Sequence, residues 1–468
     1  MGLLGGAKRS EARPGSDALH AEDEMTVGVR PASRAAGLRE RTRGKGSAPS
    51  SVLVMALIGY LGLEYLRPPL LQPLRLQMVF LVVFPILWLT SRERPWSGNL
   101  TLQLLFLIAG SLTLPFAHNY FVVYMNARFM YGFLVTALTT TWLLAYRGNF
   151  QRVVWAWVGI VCFQAFWAIT HDGRGYGSFL GDENDLALAC DMAFPFAILG
   201  LQCFRGAKRW VCGFAALLLL CGVVASFSRG GFLGLVAAAG YCLLAARHRV
   251  RNIAIGCTLA GVFYLAVPSG YRSEIGTIED TSSGTAEARL FLWTAAARMW
   301  TDHPIFGVGP ANAPFLLGRY QVEATEGAMF SGRQFQERDW SMTALHSVYL
   351  QLLSERGLVG VLLFGWMAVA FYAGLRRLRR EAQRMRDGPP SLVADASMYA
   401  LALEAAMAGY LVAAGFLSML YFPYFWFFTA LAVAHDRAIR REYGAHGSRR
   451  VPGSPGETRS LGPTPRCT

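Results

Sequence analysis

Long apolar runs alternate with short polar breaks along this chain, and the spacing of the breaks predicts a bundle of membrane-spanning helices. A helix needs about 20 mostly apolar residues to cross a bilayer, fewer when flanking side chains snorkel. Twelve stretches fit: 51–66, 73–90, 100–117, 128–146, 153–170, 186–204, 210–227, 231–246, 252–268, 357–375, 397–416 and 422–435. The loops between them are of two kinds. One is rich in arginine, as in SRER, YRGNFQR, RGAKR, ARHRVR and LRRLRREAQRMR, and the other nearly lacks arginine clusters. Positive charge is retained on the cytoplasmic side, so the first kind is predicted to be cytoplasmic. With both termini inside, 32 of the 44 Lys and Arg fall on that side, and every clustered loop falls with them.

The longest break, 269–346, then lies outside, as one large loop. It contains TAEARLFLWTAAARMW, in which Ala286, Leu290, Trp293, Ala297 and Trp300 recur at helical spacing before the stop HPIFGVGP. That pattern predicts an amphipathic helix lying against the membrane. The fold class expected is therefore an all-α polytopic membrane protein of about twelve spans. Its parts are a tail at 1–50, spans one to nine within 51–268, the loop at 269–346, spans ten to twelve within 347–435, and a second tail at 436–468. Both tails are basic and poor in apolar residues, which predicts disorder, and the first has no apolar core of a signal peptide.

Composition agrees with this reading. At 53% hydrophobic and 16% charged residues, with a mean hydropathy of +0.33, the chain holds more apolar sequence than one water-soluble core can absorb. A net charge of +14 would in a soluble protein raise the question of nucleic acid. Here the basic residues form short clusters between apolar runs, so membrane lipids rather than nucleic acid are the expected partners. Seven of the eight cysteines, Cys162, Cys190, Cys203, Cys212, Cys221, Cys242 and Cys257, lie in or beside apolar runs without CxxC spacing. They read as small packing residues rather than a disulfide framework or a zinc site.

Candidate chemistry gathers on the outer side. The stretch HSVYLQLLSERGLVG, from His346 to Gly360, sets an imidazole directly before an apolar run. A histidine titrates near neutrality and can take a proton from a hydroxyl within hydrogen-bond reach, although a lone loop histidine is more often a plain surface residue. Arg229 sits just after span seven, against the positive-inside trend, and Gly230 and Gly231 follow it at the start of span eight. A guanidinium beside free helix N-terminal amides is an anion site; the competing reading is an arginine snorkelling from a helix end. Arg289 shares its predicted helix with Trp293 and Trp300, which would hold it at the interface. The acidic run Gly181 to Asp185 matches no metal-binding spacing, and Asp182 and Asn184 suit helix capping and the shaping of a pocket. Glu355 is placed either to orient a group in the site or to cap a helix. No metal or cofactor is predicted.

These residues resemble a known pattern. Arg229 and Leu233 are similar to the R-x3-L motif of the O-antigen ligase and polymerase family of bacterial envelope glycan transferases. His346, Ser347, Gly357 and Gly360 resemble that family's H-[NSQ]-x9-G-x-x-G motif at every defined position. Arg289 with Trp293, ahead of PIFGVG, looks like the family's second outer arginine, and GDENDLALA resembles a segment common in its members. The resemblance covers roughly residues 170–435. It implies a metal-independent transfer of a glycan from undecaprenyl diphosphate to an acceptor hydroxyl, at the periplasmic face of a bacterial inner membrane. Arg229 and Arg289 would hold the diphosphate, and His346 would position or deprotonate the acceptor. The acceptors implied are lipid A core, the end of another glycan or, ranked third, a protein hydroxyl. A transporter or flippase of lipid-linked glycan is the alternative. Convergence of Arg229, Arg289 and His346 favours the enzyme, whereas charges spread along a path through the spans favour transport.

Overall fold

The computed structural model describes residues 50–177, 179–245, 284–325, 342–385 and 389–447. Among them all long elements are helices: α1 Ser51–Leu66, α2 Leu76–Thr90, α3 Gly98–Ser111, α4 Tyr120–Leu143, α5 Arg147–Ile169, α6 Glu183–Cys203, α7 Ala207–Ala225, α8 Arg229–Ala245, α9 Gly284–Asp302, α10 Ala313–Thr325, α11 Val348–Arg384, α12 Pro390–Ala413 and α13 Pro423–Gly447. Several begin at a polar cap. The side chains of Ser50, Ser97, Asn119, Asp182 and Ser347 accept backbone N–H groups of the first turns of α1, α3, α4, α6 and α11. Each cap satisfies a donor that the helix itself cannot.

Helices occupy all the predicted spans except the ninth, 252–268, which lies outside the described residues, as do most of both predicted tails. Six of them, α4, α5, α6, α7, α11 and α12, are long and apolar enough to cross a membrane. Helices α1, α2, α3 and α8 are apolar but shorter. With 16, 15, 14 and 17 residues, they rise only about 21–26 Å, against a hydrocarbon core of about 30 Å. At their other limits the helices overrun the apolar pattern. Helix α11 continues through the arginine run to Arg384, and α13 continues past residue 435 to Gly447. Arginine is a good helix former, so its charge ends an apolar pattern without ending a helix.

The centre of the bundle is α6 packed against α7, α8 and α12. Residues 186–193 of α6 are all buried, and the matching face of α12 is rich in Ala400, Ala402, Ala405, Ala406 and Ala413. Small side chains let helix backbones approach closely, which is how apolar helices gain packing where solvent does not drive them together. The outward faces are apolar too: Trp210, Val211, Phe214 and Leu217 of α7 are all exposed. Cys162, Cys190, Cys212, Cys221 and Cys242 are free thiols. Cys203 is disulfide-bonded, so the expectation that all these cysteines are packing residues fails at that position.

Helices α9 and α10 form a separate small core. Phe291, Leu292, Ala295, Ala296 and Met299 of α9 pack with Val308, Ala313, Leu317, Tyr320 and Leu345. The predicted helix is present, and a face other than the predicted stripe makes most of its contacts with the rest of the protein. Leu290 is 43% exposed and Ala297 is exposed, while Phe291, Leu292, Ala295, Ala296 and Met299 are buried. Helix α10 begins at Ala313, just past the stop HPIFGVGP, in a stretch for which no helix is predicted. No strand occurs among the described residues.

Candidate functional site

The site is organised by a break in α11. Gly357 has φ 58°, which interrupts the helix and leaves backbone groups on both sides without helical partners. The segment after α9 takes them up. Val308 N–H donates to the Ser354 carbonyl at 2.8 Å and Gly309 N–H to the Glu355 carbonyl at 3.2 Å. On the other side of the break, Leu358 N–H donates to the Pro304 carbonyl at 2.9 Å and Val359 N–H to the Ile305 carbonyl at 3.1 Å. A Cβ on Gly357 would collide with the Ile305 backbone, and one on Gly360 with Arg356. Both glycines of the H-[NSQ]-x9-G-x-x-G motif therefore serve close approach. Ser347, at its second position, is the N-cap of α11.

That construction fixes His346. Its φ is 49°, uncommon for a residue with a side chain and tolerated only where neighbours over-determine it. Its N–H donates to the Ser418 hydroxyl at 2.9 Å, and Val348 N–H donates to the Ala414 carbonyl at 2.8 Å. One residue earlier, the Leu345 carbonyl accepts the Trp293 indole N–H at 3.1 Å. The histidine is thus pinned between α9 and the end of α12.

Arg229 is the first residue of α8. The Ser228 hydroxyl accepts Gly231 N–H at 3.0 Å and donates to Asn184 Oδ1 at 2.7 Å, which joins the start of α8 to the start of α6. The expectation that Gly230 and Gly231 leave their amides accessible fails for Gly231, whose N–H is taken by this cap. Both glycines are buried against Leu417, Phe416 and Ala187. Their smallness serves packing against these neighbours.

Electrostatics link the predicted residues. Burial and the positive charge of Arg229 both lower the pKa of Arg289. Burial, and then the charge of Arg289, lower the pKa of His346, while Asp182 acts in the opposite direction. The three residues singled out on chemical grounds are consequently electrostatic neighbours, with Asp182 beside them. The lowered pKa favours a neutral imidazole, the form that can accept a proton.

The acidic run at the start of α6 has other employment. Asp182 caps the helix by accepting Asn184 N–H at 2.8 Å, Glu183 pairs with Arg174 at 3.0 Å, and Asn184 receives Ser228. Among the described residues there is no group of three or more His, Cys, Asp or Glu side chains that could hold a metal ion. Glu355 is fully buried, and its Oε2 accepts the Tyr421 hydroxyl at 2.6 Å and Ala311 N–H at 2.8 Å. It holds the segment after α9 onto α11.

Sequence reasoning missed Arg356, next to the break. Its guanidinium donates to the Phe106 carbonyl at 3.1 Å, to Asn126 Oδ1 at 2.7 Å and to the Tyr421 hydroxyl at 3.2 Å, and lies 4.4 Å from the Phe106 ring centroid. An arginine directly before an apolar run was the available signal; its partners on α3 and α4 were not. Nearby, a cavity of about 360 Å³ is bordered by Glu64, Arg67, Asn126, Asp185 and Tyr421. Another, of about 770 Å³, is bordered by His118, His303, Arg319 and Tyr320. Different residues from the Arg229, Arg289 and His346 cluster line both.

Residues 214–365 match the model of the O-antigen ligase family, Wzy_C. The match contains Arg229, Arg289, His346, Gly357 and Gly360, and supports the assignment to the O-antigen ligase and polymerase family. It is narrower than the stretch of resemblance read from the motifs. No curated protein matches the chain.

Proposed function

We propose that this membrane protein, with its O-antigen ligase domain at residues 214–365, transfers a glycan from undecaprenyl diphosphate to an acceptor hydroxyl at the outer face of a bacterial inner membrane. One observation carries the reading: Arg229, Arg289 and His346, distant in sequence, are electrostatic neighbours at one end of the bundle. In the proposed reaction the acceptor oxygen forms a bond to the anomeric carbon as the bond from that carbon to the diphosphate breaks. The acceptor proton passes to His346, and the diphosphate leaves with the lipid. Negative charge grows on the leaving group, where fixed cations stabilise it most. Arg229 and Arg289 supply them, which makes a metal unnecessary in this scheme. Asp182 and Asn184 shape the pocket from the start of α6, and Glu355 does so through the segment after α9. Twelve spans and cytoplasmic termini complete the proposed topology, in which the arginine-rich loops face the cytoplasm.

The test is a strain lacking the gene, complemented with the wild type or with His346→Ala. Surface glycan restored by the wild type and not by an equally abundant, membrane-inserted His346→Ala protein is the expected result. Full restoration by the variant would remove His346 from the mechanism. Lipid A core without its polymer, with lipid-linked polymer accumulating, identifies a ligase; single repeat units left on the acceptor identify a polymerase.

A further inference from the structure

At the end of the bundle opposite His346, a groove of about 760 Å³ runs between α5 and α7. Its polar lining is confined to one end, where Arg147, Gln151, Lys208 and Asp395 gather. Beyond them the walls are apolar, including Gly159 and Cys162 of α5 and Ala215 and Leu218 of α7. From Lys208 to Leu218 a helix rises about 15 Å, and from Arg147 to Cys162 about 22 Å. Half of a hydrocarbon core is about 15 Å. The groove therefore has the depth of one leaflet, polar at the surface and apolar toward the midplane.

The charges at its mouth are unequal. Arg147 is already neutralised by Asp395 at 2.6 Å and Glu442 at 2.9 Å. Lys208 is exposed and has no ion pair with any carboxylate among the described residues, and it lies in the basic stretch RGAKR, with Arg205 and Arg209, where α7 begins. The cations in excess at this mouth suit a phosphate. Trp155, on the wall, donates its indole N–H to the Tyr399 hydroxyl at 2.8 Å, which makes that side of the groove rigid. The neighbouring α7 surface is apolar and exposed at Val211 and Phe214, so the groove opens toward lipid.

We infer that the groove between α5 and α7 binds an anionic phospholipid of the leaflet on the arginine-rich side, with its phosphate at Lys208 and one acyl chain along Gly159, Ala215 and Leu218. Basic pockets between membrane helices on the cytoplasmic side hold acidic lipid headgroups for the same reason. The site is separate from the proposed transfer chemistry, and its test needs no glycan.

The test is native mass spectrometry of the purified full-length protein, in neutral detergent, with phosphatidylglycerol or phosphatidylethanolamine added. Preferential retention of phosphatidylglycerol is expected, falling about fivefold in Lys208→Ala, the loss of one cation near a headgroup. In Gly159→Trp the retained lipid should be lost. A Cβ on Gly159 meets nothing within 4 Å, so a side chain can start there without a backbone clash. Ala215→Leu, a smaller obstruction on the facing helix, gives a second measure should Gly159→Trp not fold. Equal retention of the two lipids, or retention unchanged in Lys208→Ala and in the groove-filling variant that folds, would overturn the inference.

Discussion

Arg379 and Arg289 lie toward opposite ends of α11 and are held in opposite ways. Arg379 is paired at 2.7 Å with Glu404, which is completely buried. The same holds for its neighbours at that end: Arg147 sits on Asp395 and Glu442, Arg440 on Glu381, and Arg441 on Glu93. Arg289, half-buried, has instead the positive charge of Arg229 and the imidazole of His346 around it. Folding neutralises the first set of cations internally. At the second, Arg229 and Arg289 lie close enough for the charge of the first to lower the pKa of the second. The proposed function gives the two sets different work: the first builds the protein, and Arg229 and Arg289 are assigned to a bound diphosphate.

The sharpest way to break the comparison is to remove one arginine from each end. Arg289→Ala is expected to lower glycan transfer by about 10²–10³-fold, the usual cost of losing one group that stabilises developing charge, with little change in thermal unfolding. Arg379→Ala should do the reverse. It strands a buried carboxylate, destabilises by about 3–5 kcal/mol, and leaves the specific activity of the folded fraction intact. A destabilised Arg289→Ala protein with normal transfer would show that both arginines are structural.

Gly357→Ala probes the break on which the site end depends. A side chain at φ 58° that also collides with the Ile305 backbone should cost about 3 kcal/mol and loosen the segment after α9, read as a lower unfolding temperature. A milder variant, Tyr421→Phe, leaves Glu355 and Arg356 short of one partner each and should cost about 1–3 kcal/mol in the same measurement.

The smallest effects sharpen the electrostatic side of the comparison through pH. A base must be neutral, and the pKa of His346 is lowered, so the acidic limb of the kcat/KM profile should lie below the ordinary histidine value. Removing the cation in Arg289→Gln should move that limb to higher pH in the residual activity. Removing the opposing carboxylate in Asp182→Asn should move it to lower pH. Limbs that stay in place in both variants would detach the activity from His346.

Much of this was legible along the chain, and the reason is locality. Helices recur where apolar runs do, because the twenty or so residues that satisfy a spanning helix are consecutive. His346, Arg229 and Arg289 stood out because each is a polar residue beside an apolar run on the side poor in arginine clusters. Even the motif spacing has a local meaning: Ser347 caps α11, and Gly357 ends its first segment. Where the local pattern misled, a nearer partner had taken the group, as with the Gly231 amide.

What the linear pattern could not hold is the set of contacts made across hundreds of positions. Arg356 reaches Phe106 and Asn126, residues 250 and 230 positions away, and nothing near Arg356 announces either. Ser418, between α12 and α13, holds His346, and Ser228 ties α8 to α6 through Asn184. Apolar periodicity is a property of each helix alone and decides that it exists and which residues flank it. Which polar groups end up sharing a charge, a hydrogen bond or a groove depends on how the helices dock, and only the assembled bundle decides that.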